Sequence, residues 1–170
     1  DDFTASCFIT TDLSNNQITG FYPGAMAYDI QLSMHDVEMD DVSMVVIAPT
    51  EPAAMSKWCN ELKTIGIPYL YDAGMQIPRL SSQELVEGIL GARIAIFNEY
   101  EFEMMNKKTG LNADDILNTV EILVITKGVK GSVLMSGNEK VLVPAATPKR
   151  IIDPTGAGDA YRAGLLKGYF

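Results

Sequence analysis

From residue 44 onward the chain repeats one pattern: a short apolar run, a polar or Gly/Pro-bearing end, then apolar residues at helical spacing. The runs cover 44–48, 68–71, 93–97 and 122–126, and the spacing predicts helices over 52–65, 82–90, 99–105 and 113–120. In the first helix Ala54, Trp58, Leu62 and Ile65 share one face. Strands alternating with helices of this length imply an α/β fold, with a mainly parallel sheet covered on both faces. After residue 126 the rhythm changes. Residues 132–135 and 140–144, joined across 136–139, predict an antiparallel hairpin at or near the sheet edge. A second hairpin is expected at the start, where 3–11 and 17–22 are rich in β-branched and aromatic residues around a polar cluster at 12–16. Pro23-Gly24 ends it, and a mixed segment, 25–42, leads into the first apolar run.

The stretch Ile151-Ile152-Asp153-Pro154-Thr155-Gly156-Ala157-Gly158-Asp159-Ala160 precedes the last helical pattern. Gly156 and Gly158 flank one alanine, so the backbone N–H groups of the turn and the helix start converge on a point that attracts an anion. With Asp159 at its lip, the pattern suits phosphoryl transfer to an alcohol, in which a proton leaves the nucleophile while negative charge builds beside it.

In an open parallel sheet, ligands bind beyond the carboxyl ends of the strands. The residues there are Pro49-Thr50-Glu51, Asp72-Ala73-Gly74, Asn98-Glu99-Tyr100-Glu101 and Thr126-Lys127-Gly128. Asn98 and Glu101 have two readings: a water-mediated hold on Mg²⁺ and phosphate, or a capping box in which each side chain satisfies the other's backbone. Thr126, Gly128 and nearby Gly131 either offer a hydroxyl and free backbone to a nucleotide or form a tight turn into the hairpin.

Composition narrows the field. The chain has 170 residues, 47% of them hydrophobic, enough for one domain with a real core. A net charge of -9, with 13 scattered Lys and Arg, argues against a nucleic-acid or anionic-membrane surface. No apolar run is long enough to span a bilayer, and a cytoplasmic protein is expected. Cys7 and Cys59 lack metal spacing and read as reduced thiols. His35 is expected on the surface, and the nine methionines in the core. No G-x-x-x-x-G-K-[ST] occurs, which excludes a P-loop NTPase, and no G-x-G-x-x-G opens a first strand-to-helix turn, which argues against a nicotinamide dehydrogenase. Because the pattern opens inside a strand and stops inside a helix, the chain is expected to be part of a larger domain.

Asp153-Pro154-Thr155-Gly156-Ala157-Gly158-Asp159-Ala160, followed by Tyr161-Arg162-Ala163-Gly164, resembles the second signature of the PfkB/ribokinase family of carbohydrate and nucleoside kinases. Asn98-x-x-Glu101 and Thr126-x-Gly128 with Gly131 resemble two further motifs of that family, in the same order. Segments 3–12, 18–26 and 72–76 look most like its bacterial adenosine-kinase-like branch. The resemblance implies a ribokinase-like three-layer α/β/α fold with a small β lid hairpin at 1–24 and an incomplete nucleotide-binding and catalytic core at 25–170. It implies an ATP-dependent kinase acting on a primary hydroxyl of a nucleoside, adenosine first, or of a sugar; a truncated, non-catalytic nucleotide-binding module is the alternative. On this resemblance Asp159 is the base and the amides of Gly156, Ala157 and Gly158 form the anion hole. Asn98 and Glu101 hold Mg²⁺ and phosphate through water, Thr126, Gly128 and Gly131 bind ATP, and Phe8, Phe21 or Tyr22 lie against the acceptor. Asp153 and Thr155 match positions that in many relatives shape a monovalent-cation loop, often for K⁺. Some dimeric relatives pair through their lid strands, so the edge at 3–22 is a candidate homodimer interface.

Overall fold

The structure is a computed structural model that describes residues 2–13, 17–149, 153 and 155–170. Part of the polar cluster expected to turn the first hairpin (14–16), and Ile151, Ile152 and Pro154 of the glycine-rich stretch, lie outside the described residues. A six-stranded sheet runs in the order of the chain through β3 (Val45–Ile47), β4 (Tyr69–Tyr71), β5 (Ile94–Asn98), β6 (Ile122–Thr126), β7 (Ser132–Ser136) and β8 (Glu139–Val143). The first four strands are parallel, and β7 and β8 close the edge as an antiparallel hairpin.

Helices α1 (Pro52–Ile65), α2 (Ser82–Leu90), α3 (Glu99–Thr109) and α4 (Ala113–Leu117) connect the parallel strands. Each strand is laid beside the previous one in the same direction, and right-handed crossovers therefore stack all four helices on one face. Residues one apart in a strand point to opposite faces. Tyr69, Tyr71, Ala95, Phe97 and Leu123 accordingly pack with Met55, Leu62, Leu85, Ile89 and Met105 of the helices. Leu70, Ile94, Ile96 and Val124 face the other way, toward Tyr161, Leu165 and Leu166 of α5 (Ala157–Tyr169). The two coverings are unequal: beyond α5, Val46 and the β8 residues Val141, Leu142 and Val143 are exposed.

Sequence periodicity misjudges α1 in one respect. Its buried residues are Pro52, Ala54, Met55, Cys59 and Leu62, whereas Ile65 is only half-buried and Trp58 packs half-buried against the core from the flank, donating Nε1–H to the Leu32 carbonyl at 3.1 Å. Helix α3 runs past Met105 to Thr109, where Gly110 adopts a left-handed φ of 78°, and α4 stops at Leu117. In both cases local chemistry decides the end: lysines suit the last turn of α3, and Asn118-Thr119 turn the chain so that Val120 enters the core. Cys59 is a buried free thiol whose pKa burial pushes up to about 11, and Cys7 is free and exposed, as is His35.

At the start of the chain β1 (Ser6–Thr11) and β2 (Gln17–Tyr22) form a separate two-stranded antiparallel sheet. Two strands alone are marginal in water, and this pair continues into two 3₁₀ turns, Gly24–Gln31 and Met34–Asp36, that are tied to α1. Lys57 Nζ donates to the carbonyls of Ile30 (3.0 Å) and Leu32 (2.8 Å). Glu61 accepts from Met34 N–H at 2.8 Å and Ser33 Oγ at 3.0 Å. Thr50, at the mouth of β3, donates to Asp29 at 2.5 Å. The hairpin thus hangs from a strapped segment rather than from the sheet.

Candidate active site

The carboxyl ends of β4, β5 and β6 and the start of α5 meet around a small cavity of about 100 Å³ lined by Asp72, Asn98, Glu101, Thr126 and Gly158. Asn98 and Thr126 come together because they are register partners at the ends of neighbouring parallel strands. Gly158 then forms a common wall with a larger cavity of about 570 Å³, bounded by Thr126, Gly128, Gly131, Ser132, Val143–Ala146 and Tyr161. A shallower groove of about 400 Å³ beside Lys63, Arg93 and Glu121 lies at the opposite ends of the strands and holds none of the predicted site residues.

Helix α5 begins without a side-chain cap. Helices α2, α3 and α4 each carry a capping box that satisfies their N-cap and N3 amides, and α1, which opens on Pro52, has no side-chain cap; the first amides of α5 are likewise uncapped and open to a ligand. Gly156 is the N-cap and has φ +79°, a conformation that a side chain disfavours. Gly158 has no such constraint: its conformation is helical, and a Cβ there would meet nothing within 4 Å. Its bareness serves the open wall rather than packing. Gly131 is the reverse case. At φ +88°, an added Cβ would lie 2.0 Å from the Val143 carbonyl oxygen, so glycine lets 143–145 fold over the 128–131 turn and roof the larger cavity.

Asn98 and Glu101 do form the capping box. Asn98 Oδ1 accepts from Glu101 N–H and Glu101 Oε2 accepts from Asn98 N–H, both at 2.8 Å. Each keeps its second polar atom, Nδ2 and Oε1, without a hydrogen bond among the described residues, and both residues line the small cavity. The two readings are therefore compatible. At the rim Lys127 Nζ lies 3.0 Å from Glu99. Asp153 Oδ1 accepts from Thr155 N–H at 2.8 Å, which holds the exposed Asp153 carboxyl below its ordinary pKa. Among the described residues no group of three or more His, Cys, Asp or Glu is gathered to hold a metal.

Arg162 and Asp72 meet at this sheet end, a contact that the sequence pattern does not show. Arg162, one helical turn after Asp159, hydrogen-bonds Asp159 through NH2 and Asp72 through NH1, the latter at 2.6 Å. The Arg162 and Asp72 side chains are largely buried, while Asp159 is exposed. Burial pushes the Asp72 carboxyl up to about 6, with the nearby Glu101 and Asp159 charges adding to the rise, although the Arg162 ion pair pulls it down. The available signals were the i, i+3 spacing of Asp159 and Arg162 and the place of Asp72 at the mouth of β4. Tyr161 donates to Ser132 Oγ at 2.7 Å and pins α5 to β7.

The three aromatic lid residues do not share one surface. Register pairs Ser6 with Tyr22, Cys7 with Phe21 and Phe8 with Gly20, which sets Phe8 and Tyr22 on one face and Phe21 on the other. All three are exposed. Tyr22 donates its hydroxyl to Asp2 at 3.0 Å, and that hydrogen bond raises its pKa.

An anion-ready helix start, a carboxylate at its lip and a glycine-walled cavity share one sheet end, and the family model for pfkB family carbohydrate kinases matches residues 2–170. The chain belongs to the pfkB carbohydrate kinase family. Among curated relatives, this pfkB chain is 34% identical to a nucleoside kinase of Methanocaldococcus jannaschii, over 98% of the chain and 54% of that protein. Among solved structures it is similar to the Burkholderia thailandensis nucleoside kinase in complex with inosine, with TM-score 0.94 and 37% identity over 99% of this chain and 56% of that one. The ADP-inosine complex of the same kinase superposes with TM-score 0.91 at 37% identity, over 99% of this chain and 52% of that one. The chain spans about half the length of the curated relatives it matches. The ribokinase-like α/β fold is thereby established, with the small hairpin sheet beside the mainly parallel one. Among the described residues no helix is long and apolar enough to cross a membrane.

Proposed function

We infer that this chain carries the catalytic half of an ATP-dependent phosphotransferase whose acceptor is a primary hydroxyl of a nucleoside. The observation that carries the reading is the convergence of Asp159 and the uncapped α5 start on the cavity shared by Asn98, Glu101 and Thr126. The acceptor oxygen bonds to the γ-phosphorus as the bond from that phosphorus to the bridging oxygen breaks. Asp159 takes the hydroxyl proton, ADP leaves, and the amides of Gly156, Ala157 and Gly158 face the charge on the transferring group. The nucleoside part of ATP suits the larger cavity, whose roughly 570 Å³ lies within the usual range for ligand pockets, beside Thr126, Gly128 and Gly131.

The donor set also fits a nucleotide-borne Mg²⁺, which keeps its waters and asks for few protein carboxylates. Glu101 and Asn98 would hold it, and when bound it neutralises charge on the phosphate oxygens. Asp153 and Thr155 are the residues for a K⁺ loop. We assign 1–24 as lid and 25–170 as core, with Phe8 and Tyr22 on one candidate substrate face of the hairpin and Phe21 on the other, and the edge at 3–22 as the candidate homodimer interface. An ATP-using kinase belongs in the cytoplasm.

Nucleosides rank above sugars because the two similar proteins named above are nucleoside kinases, one of them solved with inosine. The other reading is a nucleotide-binding module without turnover, in which the larger cavity beside Thr126, Gly128 and Gly131 holds a nucleotide. ATP consumption with adenosine, inosine, cytidine and ribose separates them. We expect turnover with a nucleoside, and Asp159→Asn should lower kcat by ~10²- to 10⁴-fold while nucleotide binding persists. Nucleotide binding without turnover on any acceptor would favour the module.

A further inference from the structure

We propose that Arg162 is a positioning residue for phosphoryl transfer: its two terminal nitrogens bridge Asp72 to Asp159, holding Asp159 Oδ1 and leaving Oδ2 as the proton-accepting oxygen. The inference rests on the proposed role of Asp159 as base. Its geometry comes from three elements. Asp72 follows β4, Asp159 lies in the first turn of α5, and Arg162 reaches both from the next turn of the same helix. Asp72 and Arg162 are 90 residues apart, and their bond is the link that fixes the α5 start against the end of β4.

The two carboxylates are not equivalent partners. Asp72 is largely buried and meets Arg162 NH1 at 2.6 Å, so it anchors the guanidinium. Asp159 is exposed, and without a tether its side chain would sample several rotamers. With Oδ1 engaged by Arg162, Oδ2 points toward Gly156, 3.9 Å from where a Cβ on that residue would stand. It therefore lies beside the amides of the helix start. A base held there needs no search for its orientation. Asp72 also offsets the guanidinium charge, so the pair gives Asp159 a directed hydrogen bond rather than an uncompensated cation. A lysine cannot reproduce this, because one ammonium nitrogen replaces a planar fork that reaches two carboxylates at once.

The test uses the 170-residue chain, with variants R162M, R162K, R162A and the double variant D72N/R162A. In the kinase assay R162M should lose about 10²-fold in kcat, with KM for ATP and nucleoside within about 3-fold of wild type. R162K should recover little of the loss. Guanidinium ion at millimolar concentration should restore part of the R162A activity saturably, and should fail to do so in D72N/R162A, where the anchoring carboxylate is gone. A second readout needs no turnover: guanidinium titrated into R162A should shift the backbone amide resonances of Asp72 and Asp159 together, and not in D72N/R162A. If R162K is as active as wild type, or guanidinium neither binds R162A nor rescues it, the bridge is not a positioning device. A wild-type chain without turnover would count against the kinase reading alone, since the resonance shifts still judge the bridge.

Discussion

Replacing Gly158 with alanine should separate stability from activity. Gly158 is the second residue of α5, in helical conformation, and an added Cβ meets no heavy atom within 4 Å. No native contact is lost and no strain is introduced. The backbone entropy of glycine in the unfolded chain is reduced, so G158A should gain about 0.5–1 kcal/mol. For a domain of this size that is a rise in Tm of about 1–4 °C. The same methyl group enters the wall shared by the small and large cavities, where the transferring phosphoryl group is proposed to sit. Displacing that group by about 1 Å is enough to lower kcat ~10²-fold. Gly164 supplies the control. It too is helical with nothing within 4 Å of an added Cβ, but it lies away from both cavities, so G164A should gain similar stability and leave kcat unchanged. Thermal unfolding and a coupled ADP-release assay on the three proteins measure both quantities. Wild-type kcat in G158A would refute the proposed position of the phosphoryl group, and a lowered Tm would refute the claim that Gly158 is free of packing duty.

Gly131→Ala should behave in the opposite sense. With φ +88° and the Val143 carbonyl oxygen 2.0 Å from the added Cβ, it should cost about 2–5 kcal/mol, read from urea unfolding. Glu101→Gln keeps the capping-box acceptor but removes the charge, so stability should stay within about 0.5 kcal/mol while the Mg²⁺ concentration for half-maximal turnover rises. Asp72 makes a signed pH prediction. Because its folded value stands at about 6, above the ordinary 3.8, the folded chain holds the extra proton, and this group's contribution falls as pH rises through that window by about 2–3 kcal/mol. D72N should flatten that part of the stability–pH curve measured by urea unfolding at pH 4.5 and 7; an unchanged slope would show that another group produces it.

Much of the architecture is legible in local pattern. The helices α1 and α2 begin and end where apolar spacing, Pro52 and the Ser81/Glu84 capping box put them, and β6 fills its apolar run. The hairpin of β7 and β8 follows from two short apolar runs around a short polar turn. The Asp159 turn is also local, since Gly156 supplies the left-handed N-cap and the helix starts at the next residue. Such features depend on residues within a turn or two of one another, where backbone sterics and side-chain capping act directly.

What the tertiary structure decided lies across longer separations. Trp58 matches the helical period of α1, yet its neighbour across the fold, the 24–36 strap, draws it to the flank. Phe8 and Phe21 look alike in composition, and only the pairing register divides them between two faces. The need for glycine at 131 comes from the 143–145 backbone folding over it. The link from Asp72 through Arg162 to Asp159 exists because the sequential strand order brings the end of β4 near the start of α5. By itself the sequence determined the glycine turn, the carboxylate and the alternating strands and helices, because these follow from short-range geometry. The tertiary structure decided which charges meet at that carboxylate, because contacts across 90 residues depend on strand order and crossover hand, to which no local pattern is sensitive.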